Sequence, residues 1–592
     1  MYKITINNKD YSSWEICDNI NLSIIQFDQI DNPANFKLFN NDIFSFDTGK
    51  FSLDHSPTRL CKNIPCVLLL QDNKTYGRQS STKNNQGKLF YKCVPNDTHL
   101  PSFIVPYDNK NIGFSKVFTN LYVTISFNSW KEKHPQGIIN QIIGPVDVLE
   151  NFYEYQLYCK ELNISIQKLN KDTHKSIDNR PNNTIVNEIF SNSSDKINNR
   201  TSSFNVFSID PQGSKDFDDA FSIKNIADDK ICVSIYISNV PLILNALNLW
   251  GSISKRTTTI YLPDKKRPML PHILSDELCS LQCGEDRLSF VLDIVFDRKG
   301  TILSHSFANA KIKVVNNFVY EEDDLLDFPD YQNLFDFVKI ISEKYKYSND
   351  KIVDSHDVVS YLMILMNYYC AKEFINFGNG IFRKTIQKSC VDVDTNVDDI
   401  DVVKFIRNWN SFSCIYTDLN SKKDIDLSHH LMSLDAYVHI TSPIRRVVDL
   451  LNMMKLQINL GLGLDIENNK NATEFYNKWI GNIEYINKTM KSVKRIQSDC
   501  ELLSLCSKHK YIIDKIYTGY VFDKNNNNNN NLSMYKYNVY LPELKMVSHI
   551  KCQLDMKEFE KCSFKLYIFN NEEKFKKKIR LQIVTIDNEE KN

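Results

Sequence analysis

Apolar residues recur along this chain in two rhythms. Up to about residue 165 they come in short runs divided by polar turns. Residues 66–70 (CVLLL) are continuously apolar and residues 121–126 (LYVTIS) partly alternate, so both read as strands. Short strands between polar turns suit small barrels better than helical bundles. A helical pattern follows near 148–161. From about 166 to 203 Asn, Ser, Lys and Asp dominate, and the stretch reads as a polar linker. Residues 231–238 (ICVSIYIS) alternate as a half-buried strand does. Long helical patterns come next, near 331–346, 357–376, 446–459 and 472–508. Strand alternation returns after about 511, most clearly at residues 535–541 (YKYNVYL). The asparagine run at 525–531 sits between two such strands and reads as a loop insertion.

Length, composition and charge bound this picture. A chain of 592 residues, 42% apolar and 24% charged, suits a folded protein of roughly three to five units. The first residues, MYKITINN, lack the apolar core of a secretory signal. The most apolar later stretch, 361–369 (YLMILMNYY), is too short to cross a bilayer and reads as a buried helix. An intracellular protein without a membrane segment is expected. Its 15 cysteines form no disulfide-like framework and are expected to be reduced. Net charge is zero, from 72 basic and 72 acidic residues. The total therefore does not point to nucleic acid, and the placement of individual cations has to.

Three stretches carry chemistry. In SIDPQGSKDFDDA, residues 208–220, Asp210, Asp216, Asp218 and Asp219 crowd together between apolar runs. Gathered carboxylates repel one another unless a cation compensates, and hard oxygen donors suit magnesium or manganese. An acidic surface turn is the alternative. In HITSPIRRVVD, residues 439–449, Pro443 sets a turn and Ser442 is placed to cap the helix that follows. Arg445 and Arg446 then project as planar donors for phosphate oxygens, unless surface carboxylates pair with them. In IYLPDKKRPMLP, residues 260–271, three prolines and an exposed basic triplet suggest a rigid loop. Tyr261 on it can stack on a base, or simply pack.

Taken in order, SIDPQGSKDFDDAFSI, YLPDKKRPMLPHILSDELCSL and AYVHITSPIRRVVDLL resemble the catalytic domain of the ribonuclease II (RNB) family. The resemblance runs from Phe204 to about Leu456. It implies a multidomain α+β protein with an RNB catalytic domain flanked by small OB-type β-barrels. Two cold-shock-like barrels would occupy 1–100 and 101–165 and a polar linker 166–203. The RNB domain would fill 204–510, and a C-terminal OB-type RNA-binding domain 511–592. It further implies a monomer and its activity: 3′-to-5′ removal of nucleotides from single-stranded RNA as nucleoside 5′-monophosphates. By resemblance the metal set is Asp210, Asp216, Asp218 and Asp219, holding Mg2+ or Mn2+, with Asp218 the least dispensable for chemistry. Arg445 matches an arginine at the scissile phosphate, Arg446 joins it in binding RNA, and Tyr261 matches an aromatic that grips the terminal nucleotide. Asn239 and Gln497 stand where the family has acids, and Val447 where it often has tyrosine. Asn239 and Gln497 keep open a second reading, an inactive RNA-binding member of the fold, and the neutral overall charge a third, a protein scaffold in an RNA-decay assembly.

Overall fold

The computed structural model describes residues 1–27, 29–47, 50–79, 87–108, 118–347, 351–387, 402, 405, 412–419, 426–429, 432, 434–463, 465–527, 534–571 and 576–586. The chain folds into two compact units. One comprises Met1–Asn163, Leu262–Asp264 and Arg495–Asn592, and the other Ile164–Tyr261 and Lys265–Lys494.

In the first unit, β1 (Tyr2–Ile6), β2 (Trp14–Asp18), β3 (Ile43–Asp47) and β4 (Lys50–His55) form a four-stranded sheet in the order β2-β1-β3-β4. The strands β5 (Ile64–Leu68), β6 (Thr75–Arg78), β7 (Leu89–Pro95), β8 (Phe103–Tyr107), β9 (Leu121–Ser129) and β10 (Gln136–Pro145) follow. Five of them close a ring, β5-β9-β10-β8-β7, because β7 also pairs with β5; β6 hangs on β7. β8 and β10 run parallel and the rest antiparallel, the strand order of an OB barrel. Both sheets share one core, which joins Ile4, Phe39 and Phe44 to Cys66, Phe103 and Val123. The division expected at residue 100 therefore falls inside the closed barrel. Residues 96–102, polar and proline-bearing, are the turn of the β7–β8 hairpin.

The stretch expected as a polar linker is largely helical. Helices Gln167–Ile177 and Asn182–Asn192 and the short strand β11 (Ile197–Asn199) occupy it. Its sparse apolar residues, Leu169, Ile177, Ile185, Val186 and Ile197, are all buried in the core of the second unit. Thirty-odd polar positions hid a face that needs only one residue in three or four.

The second unit is built on β12 (Val206–Asp210), β13 (Asp219–Ala227), β14 (Lys230–Ser238), the hairpin β15 (Ile260–Tyr261) and β16 (Lys266–Arg267), β17 (Asp286–Asp297) and β18 (Ile302–Val319). The main sheet also closes on itself: β18 is long enough to pair with β17 through its first half and with β12 through its second. β14 is buried along nearly its whole length, so it is a central strand and not a half-exposed one. Its alternating serines are satisfied inside. Ser234 Oγ donates to Asp293 and Ser238 Oγ to the Cys279 carbonyl. Helices Pro329–Lys344 and Ser355–Phe377 cover one face, and Val447–Asn459 lies in the core beside them. β19 (Ile381–Gln387) and β20 (Phe412–Asp418) form a further hairpin. The single helix expected at 472–508 is two, Lys470–Ile480 and Ile483–Lys508, parted at Gly481 and Asn482.

The remaining strands belong to the first unit: β21 (Ile516–Asn527), β22 (Met534–Leu541), β23 (Met546–Cys552), β24 (Lys561–Asn571) and β25 (Lys576–Ile586), in the order β23-β22-β21-β24-β25. Asn525–Asn527 continue β21, and the rest of the asparagine run lies outside the described residues. No helix among the described residues is long and apolar enough to cross a membrane. The described cysteines are free thiols.

Candidate active site

The acidic loop is shaped by one turn. β12 ends at Asp210, and the chain reverses through Pro211, Gln212, Gly213 and Ser214. The Ser214 N–H donates to the Pro211 carbonyl at 3.1 Å. Gly213 takes φ +82°, the left-handed value that a type II turn requires at its third residue. Ser280 then pins the returning strand. Its hydroxyl donates to the Lys215 carbonyl (2.7 Å) and accepts from the Phe217 N–H (3.0 Å). β13 begins at Asp219, so the acids converge at one end of the β12–β13 pair.

Each acid meets a different environment. Asp218 is 2% exposed. Its Oδ1 accepts from the Ile444 N–H and its Oδ2 from Arg445 Nε, both at 2.9 Å. Asp216 is held by the Tyr261 hydroxyl (3.0 Å) and the Lys266 ammonium (3.0 Å). Asp210 keeps Oδ2 buried with no hydrogen-bond partner. Burial pushes Asp210 up to about 6 and Asp218 up to about 7, because a carboxylate loses water there faster than donors replace it. Asp219 is pushed well above the ordinary range by burial and by the neighbouring charges of Asp210 and Asp218. Without a cation this cluster favours protons.

The arginine segment is stitched to the strand that leads to Tyr261. The Arg445 carbonyl accepts from the Thr258 hydroxyl (2.7 Å) and the Thr259 N–H (2.9 Å), and the Val447 N–H donates to Thr257 (2.9 Å). Ser442 does not cap the helix. Its N–H donates to Asp449 in the first turn at 2.8 Å, and its hydroxyl accepts from Arg445 (3.2 Å) and Arg446 (3.1 Å). Arg446 turns inward to Asp449 at 2.7 Å, leaving Arg445 as the arginine that faces solvent.

Asp210, Asp216, Asp218, Asp219, Tyr261, Arg445 and Arg446, the candidates picked from sequence, all line one cleft of about 870 Å³. The structure adds residues that sequence reasoning passed over. Lys266 belongs to the triplet expected to be an exposed basic loop. Instead it reaches Asp216, and its neighbour Arg267 is buried. Tyr320 had no local signal: the parallel pairing of β18 with β12 carries it to the site, where its N–H donates to the Asp210 carbonyl at 3.2 Å and its ring stacks on His356 at 3.7 Å. His439 lies between Arg383 and Tyr416, each 2.7 Å from a ring nitrogen. Burial and the arginines Arg446 and Arg383 push its pKa well down, so the ring is neutral, accepting from Arg383 and donating to Tyr416. Asn239, which stands in place of an acid, is buried and bonded to Asn309 and Gln457, both at 2.9 Å.

Among the described residues no three His, Cys, Asp or Glu side chains form a ready-made metal cage. The reason is visible in the contacts, since Asp216 and Asp218 are already engaged. Asp210 and Asp219 still fit a hard cation. A magnesium ion commonly takes one or two carboxylates and completes its shell with water and phosphate oxygens. The unpartnered Asp210 Oδ2 is a donor awaiting such a ligand.

Residues 198–327 match the RNB domain. That segment of the chain is similar to RNB domains. The match takes in the whole acidic loop and the Tyr261 hairpin. Ribonuclease R of Ureaplasma parvum is 36% identical over 118 residues, 20% of this chain and 16% of that protein. Ribonuclease R of Buchnera aphidicola is 25% identical over 439 residues, 60% of this chain and 57% of the relative. The chain thus aligns with less than two thirds of either. In fold, Mycoplasma genitalium RNase R in complex with ribose methylated single-stranded RNA superposes with a TM-score of 0.62 at 16% identity, over 99% of this chain and 96% of the other. Yeast Ssd1, a pseudonuclease, superposes at 0.57 and 14% identity, over 87% and 67%. The fold is that of RNase R, with OB domains and an RNB-like domain together.

Proposed function

We propose that this chain is a divalent-metal-dependent 3′-to-5′ exoribonuclease that shortens single-stranded RNA and releases nucleoside 5′-monophosphates. The observation that carries the reading is the buried aspartate cluster facing Arg445 in an open cleft. Relatives named ribonuclease R support it.

The residues divide the work by environment. Asp210 and Asp219 would hold magnesium or manganese, and the ion would supply an activated water and neutralise charge on the scissile phosphate. Asp218 holds Arg445 by Nε and Ser442 holds it by Nη2, which leaves Nη1 to meet a ligand in the cleft. A phosphate oxygen arriving there meets a preorganised donor whose contribution grows with the charge of the transition state. Tyr261 is 40% exposed, with its hydroxyl tied to Asp216, so its ring is fixed as a platform for the terminal base. The lining is mostly polar and also includes the apolar side chains Val359 and Met363, on which a base edge can lie.

An RNA 5′-labelled and incubated with magnesium tests this. Stepwise shortening that stops with EDTA or with Asp218→Asn is the expected result. A second reading is an inactive RNA-binding member of the fold. It is favoured by the absence of a three-ligand cage among the described residues and by the likeness of fold to a pseudonuclease. RNA that stays full length while bound would select it.

A further inference from the structure

Five aspartates line the cleft, and the chain pairs three of them with two cations of its own. Arg445 pairs with Asp218 at 2.9 Å, and Lys266 pairs with Asp216 at 3.0 Å. Among the described residues, Asp210 and Asp219 are the two acids of the loop left without an ion pair.

The Lys266 contact is built into the hairpin. Tyr261 and Lys266 are direct cross-strand partners in the β15–β16 ladder, so their side chains leave the same face. They close on the two oxygens of one carboxylate, Tyr261 on Oδ2 and Lys266 on Oδ1, each at 3.0 Å. A second acid, Asp276, holds the ammonium from the other side at 2.8 Å. Asp276 is itself fixed by the Ser275 hydroxyl (2.5 Å) and by His272 Nδ1 (2.9 Å). The Lys266 side chain is only 19% exposed, so water screens this arrangement weakly. An ammonium in hydrogen-bond contact with a carboxylate repels any divalent ion that would share that carboxylate.

We propose that Lys266 is a resident cation that withdraws Asp216 from metal binding, leaving Asp210 and Asp219 to hold a single divalent ion. This rests on the metal-dependent reading above and narrows it. Asp216 becomes the residue that positions Lys266 and Tyr261. The acid set implied by resemblance thereby divides, Asp210 and Asp219 holding metal and Asp216 holding a side chain.

The test uses Mn2+ alone, without RNA, with bound and free ion counted by electron paramagnetic resonance and folding checked by thermal melting. The full chain is expected to bind one ion. Lys266→Met frees Asp216, and this variant is expected to take a second ion or to hold the first at least tenfold more tightly. Adding Asp216→Asn to Lys266→Met should return binding to the original value. Lys266→Arg preserves the charge and should keep one ion even if Lys266→Met folds poorly. Two ions on the unaltered chain, or identical binding by the Met and Arg variants, overturns the assignment. No ion on any of these proteins overturns it together with the metal-dependent function. One ion, the expected Lys266→Met gain and no RNA shortening would remove the exonuclease reading and leave Lys266 as assigned.

Discussion

Asp218 spends both oxygens on its own chain, yet it lies at the centre of the cleft. That combination predicts a clean separation of binding from chemistry. Asp218→Asn keeps the shape and loses the charge that steadies Arg445. Single-turnover cleavage should fall by about 100- to 1,000-fold or more, as when a preorganised transition-state donor is removed. RNA affinity measured by fluorescence anisotropy should stay within about threefold, and a comparable loss of affinity would show that Asp218 supports the groove instead. The protonation of the cluster gives a second prediction. Asp210 and Asp218 rise from 3.8 to about 6 and about 7 on folding. In metal-free protein their stabilising contribution is whole below the unfolded value and is lost as pH rises through about 6 to 7. A divalent ion offsets that loss, so the melting-temperature gain from EDTA to magnesium should be larger at pH 8 than at pH 5.5. Equal gains at both values would place the ion elsewhere. Every one of these acids was legible in SIDPQGSKDFDDA, because the residue types and their crowding carry the chemistry. Their division of labour was not. Which oxygen faces Ile444, Arg445 or Lys266 depends on segments more than 40 positions away in the sequence.

At the scale of elements, the site depends on a helix that touches no acid of the loop. Asn452, fully buried on Val447–Asn459, accepts from the Ile381 N–H at 3.0 Å and donates to the carbonyls of Ile381 and His439 at 2.9 Å. It clamps β19 to the segment carrying His439 and, beyond it, the arginines. Asn452→Leu leaves three backbone groups without partners, at about 1–3 kcal/mol each. A melting temperature lowered by several degrees and a cleavage rate lowered with it are expected; unchanged melting would mean that the groups find other partners. The helix Ser355–Phe377 begins at a capping box in which Asp354 and Asp357 exchange hydrogen bonds with each other's backbone. Asp354→Ala should cost about 1 kcal/mol in denaturant unfolding and leave cleavage unaltered. The long helices and the clearest strands were readable because their apolar periods persist for many residues. The helices at Gln167–Ile177 and Asn182–Asn192 were not, since Leu169 and Ile177 lie far apart among polar residues and Ile185, Val186, Ile189 and Phe190 make only one short apolar patch. The alternation of β14 was a true strand signal that misjudged burial, because serines satisfied by Asp293 and Cys279 pass as surface residues.

At the scale of the molecule, zero net charge means that approach of RNA gains little from long-range attraction, while phosphate contacts inside the cleft remain local. Between 50 and 200 mM salt the association rate should change less than about threefold while affinity weakens through dissociation. A steep fall in the association rate would reveal a steering field that total charge conceals. The barrel boundaries were the least legible feature. The turn between β7 and β8 resembles a linker in sequence, and only hydrogen bonding between β5 and β7 shows that the strands on either side belong together.

One unit draws on both Met1–Asn163 and Arg495–Asn592. On the ribosome the earlier segment emerges hundreds of residues before the later one, and all of Ile164–Lys494 is synthesised in between. The unit that starts first is completed last; its opening part, with a closed barrel and a core of its own, can fold as it emerges, and the closing part, with a separate core, joins it only after the acid-bearing unit has been made.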